Sequence, residues 1–272
     1  MQSIGQAAKE LLERIQVIRS TTIHSPMNNS NEYEKRQDSS KKTNPDCNKC
    51  QDENGYIINE NGMQLWKICE CVPAKKIRNM MKSSQITDDF RQLTFENFET
   101  KGKHSQIEYS FLMATVYANQ FETIEKNRHN SFALVGQVGS GKTHLLCAIS
   151  NYLLSKGVQV IYFPFVEGLN NLKNNFDELE EKTDRLKKAR VLFIDDLFKG
   201  RDKPTAWQIE TMFSIVNYRY LNHLPILLTS EKNFGMLCDI DEALGSRLFE
   251  MTRGNRMELV GKQLNFRMTD FE

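Results

Sequence analysis

The sequence predicts an α/β fold: a parallel sheet flanked by helices, preceded by a small β-hairpin module organised by cysteines. Three observations predict it. From about residue 131 onward, short apolar β-runs alternate with helical periods. The first of those runs, Ser131–Val135, passes directly into GQVGSGKT at 136–143. Four of the six cysteines fall between residues 47 and 71, in two close pairs.

Composition bounds the reading. The 272 residues are 39% apolar and 26% charged, which suits a soluble globular chain with room for one good core and a smaller module. A net charge of +1 gives no overall basic field, so any nucleic-acid contact must be a local patch or arise on assembly. No apolar run reaches the length of a membrane helix, and Glu10 and Glu13 break the N-terminal apolar pattern, so neither a membrane partner nor a secretory signal is expected. The expected location is cytoplasmic, with reduced cysteines.

In chain order, residues 1–19 are predicted as an amphipathic helix, from the spacing of Ile4, Ala7, Ala8, Leu11, Leu12, Ile15 and Ile18. It either packs on its own domain or docks on a partner. Residues 20–46 carry almost nothing to bury and are expected to be a flexible linker. Residues 47–100 are predicted as a metal-binding module with its connector. Cys47 and Cys50 form CxxC, Cys69 and Cys71 form CxC, and the segment between them can make a hairpin. Four thiolates in two pairs suit tetrahedral zinc, and an all-sulfur site is structural. The segment is too small for its own core, so metal binding would supply its folding energy. In the connector, Lys75–Ser84 reads as a basic helix and Leu93–Phe98 (LTFENF) as aromatic anchors. The remainder, 101–272, is predicted as the nucleotide-binding domain, opening with a helix over Gln106–Lys126.

GQVGSGKT stands between a strand and a helix whose Leu145, Leu146, Ile149 and Leu153 share a face, with Gly157 as its closing cap. That is the setting a phosphate-binding loop requires. The expected nucleotide contacts are Gly136, Gln137, Val138, Gly139, Ser140, Gly141, Lys142, Thr143 and His144. The glycines admit close backbone approach, Lys142 reaches the β- and γ-phosphates of ATP, and the Thr143 hydroxyl binds Mg²⁺. The companion acid strand is ARVLFIDDLF, with Asp195 holding Mg²⁺ through the ion's bound water and Asp196 orienting and deprotonating the attacking water. Two more strands, Val158–Phe163 and Pro225–Thr229, complete the alternation. Cys147 and Cys238 read as small buried residues.

Taken together, GQVGSGKT, VLFIDDL, NYRYLNHLPILLTS, LGSRLFEM, MELVGKQLNFRM and the preceding cysteine module resemble the AAA+ ATPases of the DnaC/DnaI helicase-loader family, bacteriophage members especially. The resemblance covers about residues 45 to 268. It implies an AAA+ fold, here without a helical lid, since the chain stops soon after Arg267. It implies that Lys142, Thr143, Asp195 and Asp196 are the Walker A and B residues. Arg247 would be an arginine finger acting on a neighbouring subunit's ATP; the alternative is a surface arginine paired with Glu250. The position commonly held by an asparagine sensor is Glu231, so either Thr229 or Ser230 contacts the γ-phosphate instead, or the chain senses that phosphate poorly.

The function implied is ATP-dependent delivery of a replicative DnaB-type helicase onto single-stranded DNA. The zinc module would grip the helicase, and the ATPase domain would self-associate. Candidate DNA contacts are Lys173, Phe176, Lys187, Lys188 and Arg190 in the stretch 169–190, the loop Lys199–Lys203, and Tyr218 and Arg219. For the stretch 169–190 the alternative is a solvated mixed-charge helix, and for Tyr218 it is core packing against Phe213 and Leu221. The alternatives for the whole chain are a transposase-helper ATPase like the IstB proteins, a small-molecule kinase, and a clamp that binds nucleotide without hydrolysing it.

Overall fold

The computed structural model describes residues 45, 47–60, 62–174, 176–200 and 203–268, with the side chain of Phe176 excepted. The predicted N-terminal helix and all but one residue of the linker lie outside them. The chain divides into two compact units, with the boundary between Val72 and Pro73.

In the first unit, β1 (Gly55–Glu60) and β2 (Met63–Ile68) form an antiparallel hairpin in which Ile57 faces Trp66 and Ile58 faces Leu65. Helix α1 (Cys71–Ser83) starts at the last cysteine of the cluster and from Pro73 onward belongs to the second unit.

The second unit is built on a five-stranded, all-parallel sheet: β3 (Phe132–Gly136), β4 (Val160–Pro164), β5 (Val191–Asp195), β6 (Ile226–Ser230) and β7 (Arg256–Leu259), in the spatial order β4-β5-β6-β3-β7. All of them but β7 read as continuous apolar runs because both faces are covered. The two-residue alternation of side chains then divides the core. Phe132, Leu134, Val160, Tyr162, Val191, Phe193 and Leu227 pack on one face, against α3 (Ser105–Asn119) and α5 (Lys142–Ser155). Ala133, Val135, Ile161, Phe163, Leu192, Ile194, Ile226 and Leu228 line the other. They meet α6 (Phe165–Asn174), α8 (Ala206–Leu221), α9 (Phe234–Ile240) and α10 (Glu242–Met251). The connector packs on the first face. Its short helix α2 (Asp88–Arg91) carries Phe90 edge-on to Tyr162, and Phe98 stacks on Phe111.

Several elements differ from the expectation. The helix predicted over Gln106–Lys126 stops at Asn119, where Gln120 caps it, and one further turn, α4 (Phe121–Ile124), follows. The stretch 169–190 is α6, a 3₁₀ turn at Phe176–Glu178 and a separate helix α7 (Leu179–Lys188). Strand β4 begins at Val160, not Val158, because the Val158 amide donates to Leu153 O and completes the cap of α5. Strand β7 was not predicted at all. Cys147 is buried as expected, whereas Cys238 is only half-buried.

Arg219 is the largest departure. Expected as a candidate DNA contact, it is completely buried. Its guanidinium donates to the carbonyls of Leu186, Lys187, Ala189, Arg190 and Pro225, closing the end of α7 and the loops into β5 and β6. Burial pulls its pKa down to about 9, so it still carries its charge at neutral pH. Arg219→Met leaves those carbonyls without their donor. It should lower unfolding stability by about 3 kcal/mol. Urea denaturation checks this, and an unchanged midpoint would mean that water serves the carbonyls equally well.

Candidate functional site

The predicted phosphate loop joins β3 to α5. Gly136 has φ +99°, and a Cβ there would run into the carbonyl oxygen of Leu259 on β7. Gly139 has φ +73°, and a Cβ would meet the Asn265 side chain. Both positions thus need glycine for conformation and for space. The loop is held from outside: Gln137 N donates to Leu259 O at 2.8 Å, and Phe266 N donates to Gly139 O at 3.1 Å. From within, Ser140 Oγ donates to Gln137 O at 2.7 Å. Lys142 Nζ folds back over the loop and donates to Gly136 O and Gln137 O at 2.9 and 2.6 Å. Burial pulls its pKa down, opposed by the charges of Asp196, Glu231 and Asp195. Val138 is partly exposed at the tip. The His144 ring is committed elsewhere, with Nε2 at 3.1 Å from both Thr94 O and Asn97 Oδ1 of the connector.

The acids follow from strand alternation. Asp195 has the parity of Val191 and Phe193, so it faces α5. Tyr162 on β4 and Thr229 on β6 share that face. Asp195 Oδ1 accepts from Thr143 Oγ1 at 2.9 Å and Thr229 Oγ1 at 2.6 Å, and Oδ2 accepts from the Tyr162 hydroxyl at 3.0 Å. Burial raises the Asp195 pKa, the Asp196 charge raises it further, and the three hydroxyl donors oppose the shift. Thr229 also accepts from Asp196 N at 2.7 Å, so its hydroxyl positions both acids. Ser230, on the opposite face, donates to Leu197 O at 2.8 Å and fixes the loop after β5. Both hydroxyls proposed as phosphate sensors are therefore engaged with the acid strand and its loop.

Asp196 lies in the left-handed region at φ +55°, and its Oδ2 pairs with Lys199 Nζ at 2.5 Å. Lys199 is also 3.7 Å from Glu231 Oε1. Sequence reasoning missed two members of this cluster. Tyr162 was read only as part of a strand, although a hydroxyl-bearing residue in register beside the acid strand was the available signal. Lys199 was read as part of a DNA-facing loop.

Arg247, on α10, does not pair with Glu250. Glu250 instead accepts from Arg128 at 2.7 Å and from Tyr220 at 2.8 Å. Arg247 donates to Asn217 Oδ1 at 3.0 Å and to Ala243 O at 2.8 Å, with its guanidinium near the rings of Phe213 and Tyr220. Of the residues expected to meet DNA, Lys188 pairs with Asp184, and Arg190 donates twice to Glu125. Lys173 is exposed and Lys187 half-buried. Tyr218 is half-buried, while Leu221, one of its expected packing partners, is exposed. Arg201 and Asp202 lie outside the described residues.

Cys47, Cys50, Cys69 and Cys71 bring their four sulfurs within 4.8 Å of one another. Sγ of Cys47 is 3.8 Å from that of Cys69, and Sγ of Cys50 is 3.5 Å from that of Cys71. A tetrahedron with Zn–S near 2.3 Å has sulfur–sulfur edges of about 3.8 Å. Two of the separations are close to that edge and none exceeds 4.8 Å, so the four thiols are gathered closely enough to close on one zinc ion. Amides at Cys50 and Lys49 bring the Cys47 thiol down to about 7, whereas burial and the neighbouring thiols push Cys71 up to about 12.

Comparison with known proteins gives these features a family. The chain matches the bacterial DnaA ATPase domain over residues 90–253, more than half its length. It is 50% identical over 210 residues to the phage-like element PBSX protein XkdC of Bacillus subtilis (strain 168), covering 76% of this chain and 79% of that protein. It is 29% identical over 161 residues to the replicative helicase loader DnaI of the same organism, covering 57% of this chain and 49% of that protein. The solved structure of the replication initiator DnaA bound to AMPPCP and single-stranded DNA superposes with a TM-score of 0.51 at 21% identity, over 69% of this chain and 56% of that one. At that identity the likeness is one of fold. The family match carries the assignment: the chain belongs to the bacterial DnaA ATPase-domain family.

Proposed function

We propose that this protein is an ATP-dependent loader that binds a replicative DnaB-type helicase and delivers it onto single-stranded DNA. The observation that carries the reading is the Thr143–Asp195–Thr229 cluster at the mouth of a glycine-rich loop, in a chain related to a helicase loader. The N-terminal module supports the helicase half. Its hairpin exposes Ile57, Trp66 and Ile68 on one face and Met63 and Leu65 on the other, apolar side chains suited to a protein partner.

The site residues take the following roles. Loop amides and Lys142 hold the triphosphate of ATP. Thr143 and Asp195 offer a hydroxyl and a carboxylate oxygen, hard donors suited to Mg²⁺. When bound, that ion would neutralise phosphate charge. Asp196 orients water and takes its proton as the water oxygen bonds to the γ-phosphorus and the bond to the β-phosphate oxygen breaks, releasing ADP and phosphate. Thr229 and Tyr162 are positioning residues acting through Asp195. Arg247 leaves Asn217 and Ala243 to reach the ATP of an adjoining copy, where its planar charge suits the transferring phosphoryl group. The four cysteines hold structural zinc.

Two expectations test this. Arg247→Ala should reduce helicase- and DNA-stimulated ATP hydrolysis by at least about 100-fold, while ADP affinity stays within about twofold. Loss of ADP binding would remove the trans role. The purified protein should contain about one zinc per chain, and Cys69→Ser should lose it and unfold the hairpin. Elemental analysis with hairpin amide exchange reads both, and a folded, metal-free hairpin would exclude the zinc site.

A further inference from the structure

The loop after β5 places one cation where it can choose between two anions. Leu197 and Phe198 are completely buried, and Leu197 N donates to Thr229 O at 2.9 Å. With Ser230 holding Leu197 O and Lys199 N bonded to Asp196 O at 2.9 Å, the root of Lys199 is fixed. Its side chain remains 44% exposed, so the ammonium is reachable. That ammonium sits on Asp196 Oδ2, with Glu231 behind it. The charges of Asp196, Glu231 and Lys199 all act on Lys142, so the four groups share one mouth. The Arg267 charge also reaches Lys199.

We propose that Lys199 is the γ-phosphate sensor of this site, held in reach by Glu231, and that it exchanges Asp196 for the γ-phosphate when a triphosphate binds. The proposal rests on the reading of the loop as a nucleotide site and adds to it a triphosphate-specific contact. While the ammonium occupies Oδ2, Asp196 has only its other oxygen to offer water. A γ-phosphate carries about twice the charge of a carboxylate and attracts the same ammonium correspondingly more strongly at equal distance. Transfer of Lys199 to that phosphate frees Oδ2 at the moment a substrate is present. With ADP bound there is no γ-phosphate, and the ammonium stays on Asp196. Glu231 explains itself on this view. At a position where a neutral amide would contact phosphate directly, a carboxylate repels it, but a carboxylate that retains a lysine does not.

The test uses the full chain with Mg²⁺ and two probes, ADP and AMPPCP, titrated by calorimetry. Lys199→Met should weaken AMPPCP binding about tenfold and ADP binding less than about twofold, and Lys199→Arg should recover most of the loss. Asp196→Asn, which removes the competing anion, should tighten AMPPCP several-fold without changing ADP, and most of that gain should vanish when Lys199→Met is added, which relief of anion repulsion alone would not produce. Unchanged ADP binding shows that each variant is folded. Equal weakening of both nucleotides by Lys199→Met, or of neither, overturns the sensor role, as does weaker AMPPCP binding by Asp196→Asn. Wild-type protein that binds neither probe overturns the nucleotide site itself.

Discussion

The Asp195 carboxylate is the constraint on which the site depends. It is buried, and a buried carboxylate needs donors for its oxygens. Three hydroxyls supply them, from the start of α5, from β4 and from β6. One side chain therefore ties the phosphate loop to two strands on either side of its own. The donors and the acid lie on the same face of the sheet, so the cluster is a product of strand register as much as of residue choice. Thr229 extends the network to the Asp196 amide and so orients the second acid, whose backbone stands in the left-handed region. An aspartate tolerates that conformation better than a branched residue would.

A second constraint acts on the loop from outside. Its backbone bonds to β7 and to the turn after it, and its glycines are packed against Leu259 and Asn265. The connector reaches the following helix through Phe98 and through Thr94 and Asn97, which meet the His144 ring. Residues far apart in the chain thus fix both ends of the nucleotide loop. The terminal MELVGKQLNFRM stretch, first noticed as a shared motif, has a physical task in this arrangement.

Much of this was legible in the sequence. The loop, the acid strand and the cysteine pairs are local patterns with fixed spacing, and each folds into the element its spacing implies. The strands were legible because burial on both faces makes them continuous apolar runs. Strand β7 was not, since Arg256 and Glu258 interrupt its four residues and it reads as a turn. The burial of Arg219 was hidden for the opposite reason. An arginine in a mixed helix looks solvated until the end of α7 and the loops into β5 and β6 present five carbonyls to one point. The assignment of Thr229 and Ser230 to opposite faces follows from alternation alone, once Leu227 and Leu228 are placed. The Lys199–Asp196–Glu231 cluster joins the ends of two neighbouring strands, and no single window of sequence contains it.

The amide of Phe266 on the carbonyl of Gly139 carries a wider consequence. A stretch of chain more than a hundred residues downstream behaves as a mechanical stop for the segment that cradles phosphate. Tension or displacement applied at that stretch, by a fused tag or by a docking protein, would be felt as a change in the shape of the cradle. The two need no intermediary to communicate, because they are already hydrogen-bonded to each other.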